Sequence, residues 1–277
     1  TPGAVAVLET VLAALPRTPV VAVFDTAFHR TIPEPAALYP LPLDLSRRLA
    51  LRRYGFHGIS HRYVSARTIA RLGRGDGPTR IVTCHLGNGC SVCAVRDGRS
   101  VDTSMGLTPL EGLMMGTRAG DVDPGLLLHL IREEKEVPQS IDQLLNHESG
   151  LLGVAGSNDM RDVQTRAAAG DRRAELAIDM FTYRIRKYVG AYAAALEGLD
   201  ALAFSGGIGE HSALVRRRVC EPLAWLGVRF DADANEQPGH GEVCLTRPDS
   251  PVQVWRIPTD EERLIAEATV EVVGMPG

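Results

Sequence analysis

Apolar positions recur along the chain with two periods, and the changes between them mark out its elements. Residues 3–15 carry apolar and small residues at helical spacing, stopping at Pro16. After Pro19, the run Val20-Val21-Ala22-Val23-Phe24 is continuous and β-rich, which predicts a buried strand ending at Asp25-Thr26-Ala27-Phe28-His29. Residues 30–43 hold Pro33, Pro35, Pro40 and Pro42, so an extended loop is expected there. A short helix is predicted over Ser46–Arg53. Glycines at 55 and 58 then turn the chain into a helix from His61 to Leu72, with Ser60 as its cap.

Strand periodicity takes over at Arg80–His85. Leu86-Gly87-Asn88-Gly89 turns the chain into a second strand over Cys90–Val95, and Asp97-Gly98 turns it again toward Thr103. Residues 104–125 are dense in glycine and methionine and fit neither period. A connector this long and apolar reads as a functional loop, with Met114 and Met115 as core. Helices are predicted over Leu126–Glu134 and Ser140–Leu145. A long one follows over Arg173–Leu196, with Ile178, Phe181, Ile185 and Val189 on one stripe. The apolar run ending at Ser205 reads as a strand. It leads through a glycine turn, Ser205 to His211, into a helix reaching about Leu226. Residues 231–250 read as loop, 252–257 as a strand, and the last helix starts after Thr259 as its cap. Strands alternating with long helices, plus a hairpin, predict an α/β fold with a mixed sheet.

Composition narrows the function classes. The 277 residues carry a net charge of -4, without the basic excess of a nucleic-acid surface. There is no apolar run of about 18 residues, so no membrane span is expected. Cys90-Ser-Val-Cys93 has the spacing of half a zinc knuckle, but no second pair follows it. The five cysteines therefore read as small core residues of a protein in a reducing, cytoplasmic compartment.

The chemistry-bearing residues gather at element ends. Asp25, the His85–Gly89 turn, the Ser205–His211 turn and Asp260-Glu261 all follow apolar strands, where α/β folds bind ligands. Strand, glycine turn and helix together aim backbone N–H groups at phosphate. No Gly-x4-Gly-Lys-Ser/Thr sequence occurs, so a P-loop is not the device. His57, His85 and Arg118 supply donors and positive charge in loops, and Asp25 and Glu261 are carboxylates suited to a hydrated Mg²⁺. Phosphoryl transfer needs this set, because its catalysis is mostly positioning and charge stabilisation. Each residue also has a plain reading. Asp25 caps the turn after its strand, His57 is a satisfied loop histidine, Arg118 pairs with Asp121 or Asp123, and Glu261 balances a helix N-terminus. His29 and His61, near caps, read as structural.

Eight blocks together resemble the acetate kinase (acetokinase) family of the acetate and sugar kinase/actin superfamily, and they occur in that family's order. They are Val21–His29, Arg53–His61, His85–Gly89, Asp102–Gly106, Gly116–Arg118, Asp159–Arg161, Gly206–Glu210 and Pro258–Glu262. The resemblance implies a ribonuclease H-like/actin-like ATPase domain. Residues 1–28 would be a remnant of the N-terminal domain, and residues 29–277 the C-terminal one. It implies reversible, Mg²⁺-dependent phosphorylation of acetate by ATP in a cytoplasmic homodimer. It makes Asp25 the essential aspartate and His57 and Arg118 the transition-state stabilisers. The nucleotide site would draw on His85, Leu86, Gly87, Asn88 and Gly89, on Asp159, Met160 and Arg161, and on Gly207, Ile208, Gly209, Glu210 and His211. Phe56 and Pro109 would line the acetate methyl pocket, and Glu261 would hold the metal.

The chain departs from the family pattern at Ser205, His211 and Asp260, where the family usually has Thr, Asn and Asn. It also lacks the family's opening Ser-rich phosphate turn and its substrate-binding Arg. A family member without its first segment, weakly active or inactive alone, is the expectation. Propionate or butyrate kinase is the alternative within enzymes. A non-catalytic nucleotide-binding or dimerisation module is the alternative outside them.

Overall fold

In a computed structural model, which describes residues 2–73, 77–237 and 241–274, six strands form one mixed sheet. The strands are β1 (Arg80–Leu86), β2 (Cys90–Arg96), β3 (Arg99–Thr103), β4 (Ala201–Ser205), β5 (Val243–Cys244) and β6 (Gln253–Arg256). Their order is β3-β2-β1-β4-β6-β5. β1, β4 and β6 run parallel; β2, β3 and β5 run antiparallel to their neighbours. The first helices are α1 (Pro2–Ala14), α2 (Glu34–Ala37), α3 (Leu43–Leu49) and α4 (Gly58–Leu72). After the hairpins come α5 (Pro124–Arg132), α6 (Pro138–His147), α7 (Gly150–Ala155), α8 (Met160–Ala168) and α9 (Arg172–Ala195). The series ends with α10 (Gly206–His211), α11 (Ala213–Cys220), α12 (Ala232–Glu236) and α13 (Glu261–Val273).

Both faces of the sheet are covered, which is why its central strands read as unbroken apolar runs. One face, with Val82, Cys84, Leu86, Val92 and Phe204, packs on the α9 stripe of Ile178, Phe181, Ile185 and Val189. The other carries Ile81, Cys93, Val95 and Ala203 against α4 and its surroundings, including Val64 and Ile69. Side chains alternate along a strand. Thr83 and His85 on β1, and Ser91 on β2, therefore share the α4 face with Ile81 and Cys93. The register sets His85 directly opposite Ser91.

Several expected elements differ. Residues 19–24 form no strand. The sheet ends at β3 and β5, and neither edge offers this run a ladder. Phe24 is 69% exposed, and β-propensity without a pairing edge does not make a strand. The proline-rich segment holds the single turn α2, and the expected loop 231–250 holds α12 and β5. The Ser205–His211 turn is itself a short helix, α10, which begins directly at the end of β4. Gly206 makes that possible: its φ is +76°, and a Cβ there would lie 2.8 Å from the Leu86 carbonyl oxygen.

Two caps also differ. α4 begins at Gly58, with His57 rather than Ser60 at its N-cap position. Asp260, not Thr259, caps α13, accepting a hydrogen bond from the Arg263 amide. The loop from 104 to 123 is without helix or strand, as expected, and Met114 and Met115 are buried.

Candidate active site

The β1–β2 hairpin tip, the start of α4 and the 104–123 loop meet beyond the sheet's edge of parallel strand ends. His57 sits at the N-cap of α4 with φ +54°, a left-handed conformation that is strained for a residue with a side chain. The carboxylate of Asp25 holds it there. One oxygen accepts from the His57 N–H at 2.6 Å, the other from the Ile59 N–H at 3.2 Å. Asp25 is thus a cap, but of a helix distant in sequence rather than of the turn after a strand.

The His57 ring stacks on His85, with centroids 4.2 Å apart and planes at 23°. Its Nδ1 lies 2.9 Å from Ser91 Oγ, and a Cβ added to Gly89 would lie 3.3 Å from its Nε2. The same added Cβ would lie 3.7 Å from an Arg118 guanidinium nitrogen, so His57 and Arg118 border one point above the hairpin tip. A glycine at 89 leaves that point open. Burial, and then the Arg118 charge, push the His57 imidazole down to about 4. Burial and then His57 push His85 to about 3. Both rings are therefore neutral hydrogen-bonding groups at neutral pH.

Arg118 is the positive charge of this cluster. Among the described residues its guanidinium hydrogen-bonds only the Pro109 carbonyl at 3.4 Å and the Met115 sulfur at 3.8 Å, and forms no ion pair. Asp121 is taken by the Gly112 N–H and the Tyr188 hydroxyl, and Asp123 caps α5. Pro109 is therefore beside Arg118, and Phe56 precedes His57 with its carbonyl accepting from His29 Nε2 at 3.1 Å.

Asp25 also acts at a distance. Its charge raises the Glu261 carboxyl, after burial as the first cause. Two half-buried carboxylates that repel each other are a donor pair that a divalent cation relieves. Ser205 Oγ at the end of β4 and Thr259 Oγ1, two residues before Glu261, are buried without a hydrogen-bond partner among the described residues. Such hydroxyls can be met by ordered water or by a ligand's water shell. No group of three or more His, Cys, Asp or Glu forms a metal site among the described residues. Mg²⁺ suits this smaller set, since it takes one or two carboxylates and fills its remaining positions with water and phosphate.

Beside the cluster lies an open cavity of about 470 Å³. Gly87, Asn88, Asp159, Met160, Arg161, Gly207, Ile208 and His211 line it, together with Asn158, Gln164 and Ser212. The other expected nucleotide residues lie outside its lining. Leu86 is core, Gly209 packs toward Phe204 and Leu86, and Glu210 turns back to accept from the Gly206 and Thr259 N–H groups. His85 and Gly89 belong to the histidine cluster. Asn88 joins the two halves, since its carbonyl accepts from Gly116 N–H two residues before Arg118.

Sequence reasoning missed Arg216. It is 2% exposed, donates to the Gly209 and Glu210 carbonyls at the end of α10, and also grips Asn235. Burial lowers it to about 10. Its signal was an arginine inside the apolar face of Val215 and Val219.

A model of the acetokinase family matches residues 1–267. The acetate kinase of Syntrophobacter fumaroxidans is 51% identical over 276 residues, covering 100% of this chain and 67% of that one. The crystal structure of Porphyromonas gingivalis acetate kinase superposes with a TM-score of 0.92 at 47% identity, over 96% of this chain and 67% of that one. A propionate kinase structure from Francisella tularensis gives 0.90 at 42% identity, over 96% and 68%. The chain thus spans about two thirds of these relatives' length, and its mixed sheet has the actin-like ATPase fold of the acetate kinases. On the family match and on these identities, the chain belongs to the acetokinase family.

Proposed function

We propose that this site transfers the γ-phosphoryl group of ATP to the carboxylate of acetate, reversibly, giving acetyl phosphate and ADP. The observation that carries the reading is Arg118. It is a guanidinium without a counter-ion among the described residues, facing the same point as His57 Nε2, beside a cavity of nucleotide size. The nucleotide would lie in the cavity on Gly87, Asn88, Asp159, Met160, Arg161, Gly207, Ile208 and His211, with its phosphates toward the hairpin tip.

An acetate oxygen attacks the γ-phosphorus in line, forming the new O–P bond as the bond to the ADP oxygen breaks. Arg118 and neutral His57 donate hydrogen bonds to the equatorial oxygens, where charge spreads. Phe56 and Pro109 exclude water from the methyl side. Glu261 and Asp25 would hold Mg²⁺, which neutralises the phosphate charge when bound. Asp25 at the same time keeps His57 in its strained pose. The free thiols Cys84, Cys90, Cys93, Cys220 and Cys244 favour a reducing, cytoplasmic setting, and a homodimer follows the family.

Propionate is the second acceptor to test, because of the propionate kinase likeness. Trapping the acyl phosphate as a hydroxamate, with acetate, propionate and butyrate in turn, tests the reading. Acetate as the preferred acceptor supports it, and ATP binding without any acyl phosphate would replace it with a nucleotide-binding module.

A further inference from the structure

Behind His57 runs a line of hydrogen bonds into the sheet. His57 Nδ1 is 2.9 Å from Ser91 Oγ. Ser91 Oγ is 2.7 Å from His61 Nε2, and His61 Nδ1 is 2.7 Å from Thr83 Oγ1. Ser91, His61 and Thr83 are each 1% exposed or less. None of these three has another side-chain hydrogen-bond partner among the described residues. The alternation of β1 and β2 puts Thr83 and Ser91 on the face under α4, and α4 brings His61 between them.

The geometry points to Thr83, His61 and Ser91 as positioning residues that fix which nitrogen of His57 carries its proton. The inference rests on reading His57 as a group that meets the transferring phosphoryl group. A hydroxyl has one proton to give, and a neutral imidazole has one donor and one acceptor nitrogen. Were Ser91 Oγ to accept from both rings, its own buried O–H would lack an acceptor among the described residues, so two polarities of the line remain. In one, Thr83 donates to His61 Nδ1, His61 Nε2–H donates to Ser91, and Ser91 donates to His57 Nδ1. His57 then carries its proton on Nε2, toward Gly89 and Arg118. In the other polarity every bond reverses, and His57 Nε2 becomes an acceptor.

Thr83 decides between them. If its oxygen accepted from His61, its own O–H would be buried with no acceptor among the described residues, and an unmet buried donor costs more than a hydrogen bond gains. The first polarity leaves no such group. An Nε2–H also suits the setting, because a phosphoryl oxygen needs a donor, whereas an acceptor there would repel it. No proton moves along the line. It sets a tautomer, in the way that the partner of one ring nitrogen fixes the role of the other.

Nitrogen-detected NMR of the ¹⁵N-histidine-labelled protein near pH 7 reads the tautomer directly, with His57→Asn and His61→Asn variants assigning the signals. His57 and His61 are expected as Nε2–H. Thr83→Val, which keeps the shape, is expected to raise the Nδ1–H population of His57, while Thr83→Ser keeps the native tautomer. Ser91→Ala is expected to lower kcat about tenfold, the weight of one hydrogen bond, with the nucleotide KM unchanged. His57 as Nδ1–H in the unaltered protein would overturn the inference, as would a tautomer that Thr83→Val leaves untouched. The NMR result stands apart from turnover. A protein with His57 as Nε2–H that makes no acyl phosphate would remove the proposed reaction and leave the positioning line in place.

Discussion

The Asp25 carboxylate accepts a 2.6 Å hydrogen bond from the main-chain N–H of His57, whose φ is +54°. One side chain therefore caps α4, fixes the strained histidine and places negative charge near Glu261. Asparagine keeps one accepting oxygen but turns an NH2 donor toward the second main-chain N–H. Asp25→Asn is therefore expected to lose about 1 kcal/mol of stability while activity falls by two orders of magnitude or more, roughly the cost of losing an electrostatic group. Asp25→Ala should also lose about 1 kcal/mol of stability. Thermal melts and acyl phosphate formation on both variants check this, and a fully active Asp25→Asn would refute the charge role.

Arg118 contributes little to the fold, with one long contact to Pro109 and one to a sulfur. Arg118→Ala is therefore expected to change stability by less than about 0.5 kcal/mol and to cut kcat by ~10²–10³-fold. Arg118→Lys should recover only part, because an ammonium cannot fork around two oxygens. Steady-state kinetics beside a denaturant titration separate the two effects.

How much of this was legible follows from where the information lies. The α9 stripe and the β1–β3 hairpins are local patterns, and they formed within a residue or two of the expected ends. The run at 19–24 has the same composition as a strand, yet whether it pairs depends on an edge elsewhere in the fold. Asp25, His57 and Arg118 stood out through their motifs; the structure sets His57 and Arg118 beside one point and ties Asp25 to the main chain of His57. What Asp25 caps was not readable, because its partner amides lie 32 and 34 residues away. Ser91 and Arg216 gave no motif. Their roles come from β-register and from the end of α10.

Buried neutral histidines make the fold acid-sensitive. Burial lowers His29 and His57 to about 4 and His85 to about 3, from an ordinary value of 6.5. The unfolded chain therefore takes up these protons first as pH falls. The stability they contribute is complete above about pH 6.5 and is lost progressively toward pH 4. A Tm profile should decline across that window, and His85→Asn should make the decline shallower. A flat profile would contradict the burial argument.

Glu261 tests the metal reading. Burial and the Asp25 charge raise its carboxyl, so it keeps its proton to higher pH than a free glutamate, and the Mg²⁺ requirement should grow as pH falls. Glu261→Gln is expected to raise the Mg²⁺ concentration for half-maximal activity by more than the ~10-fold that loss of an outer ligand partner costs. A chelator should abolish turnover in both forms. Mg²⁺ titrations at pH 6 and pH 8 measure each effect.

The central claim is that the point bordered by His57 Nε2 and Arg118 is where phosphoryl transfer to acetate occurs. Its most direct measurement is hydroxamate-trapped acetyl phosphate from ATP, Mg²⁺ and acetate. It should be made on the 277-residue polypeptide and on the same polypeptide joined to the N-terminal third of a relative, each with and without Arg118→Ala. Acetyl phosphate is expected from the joined protein at least, reduced ~10²-fold or more by Arg118→Ala. No acetyl phosphate from either form, or formation indifferent to Arg118, would contradict it.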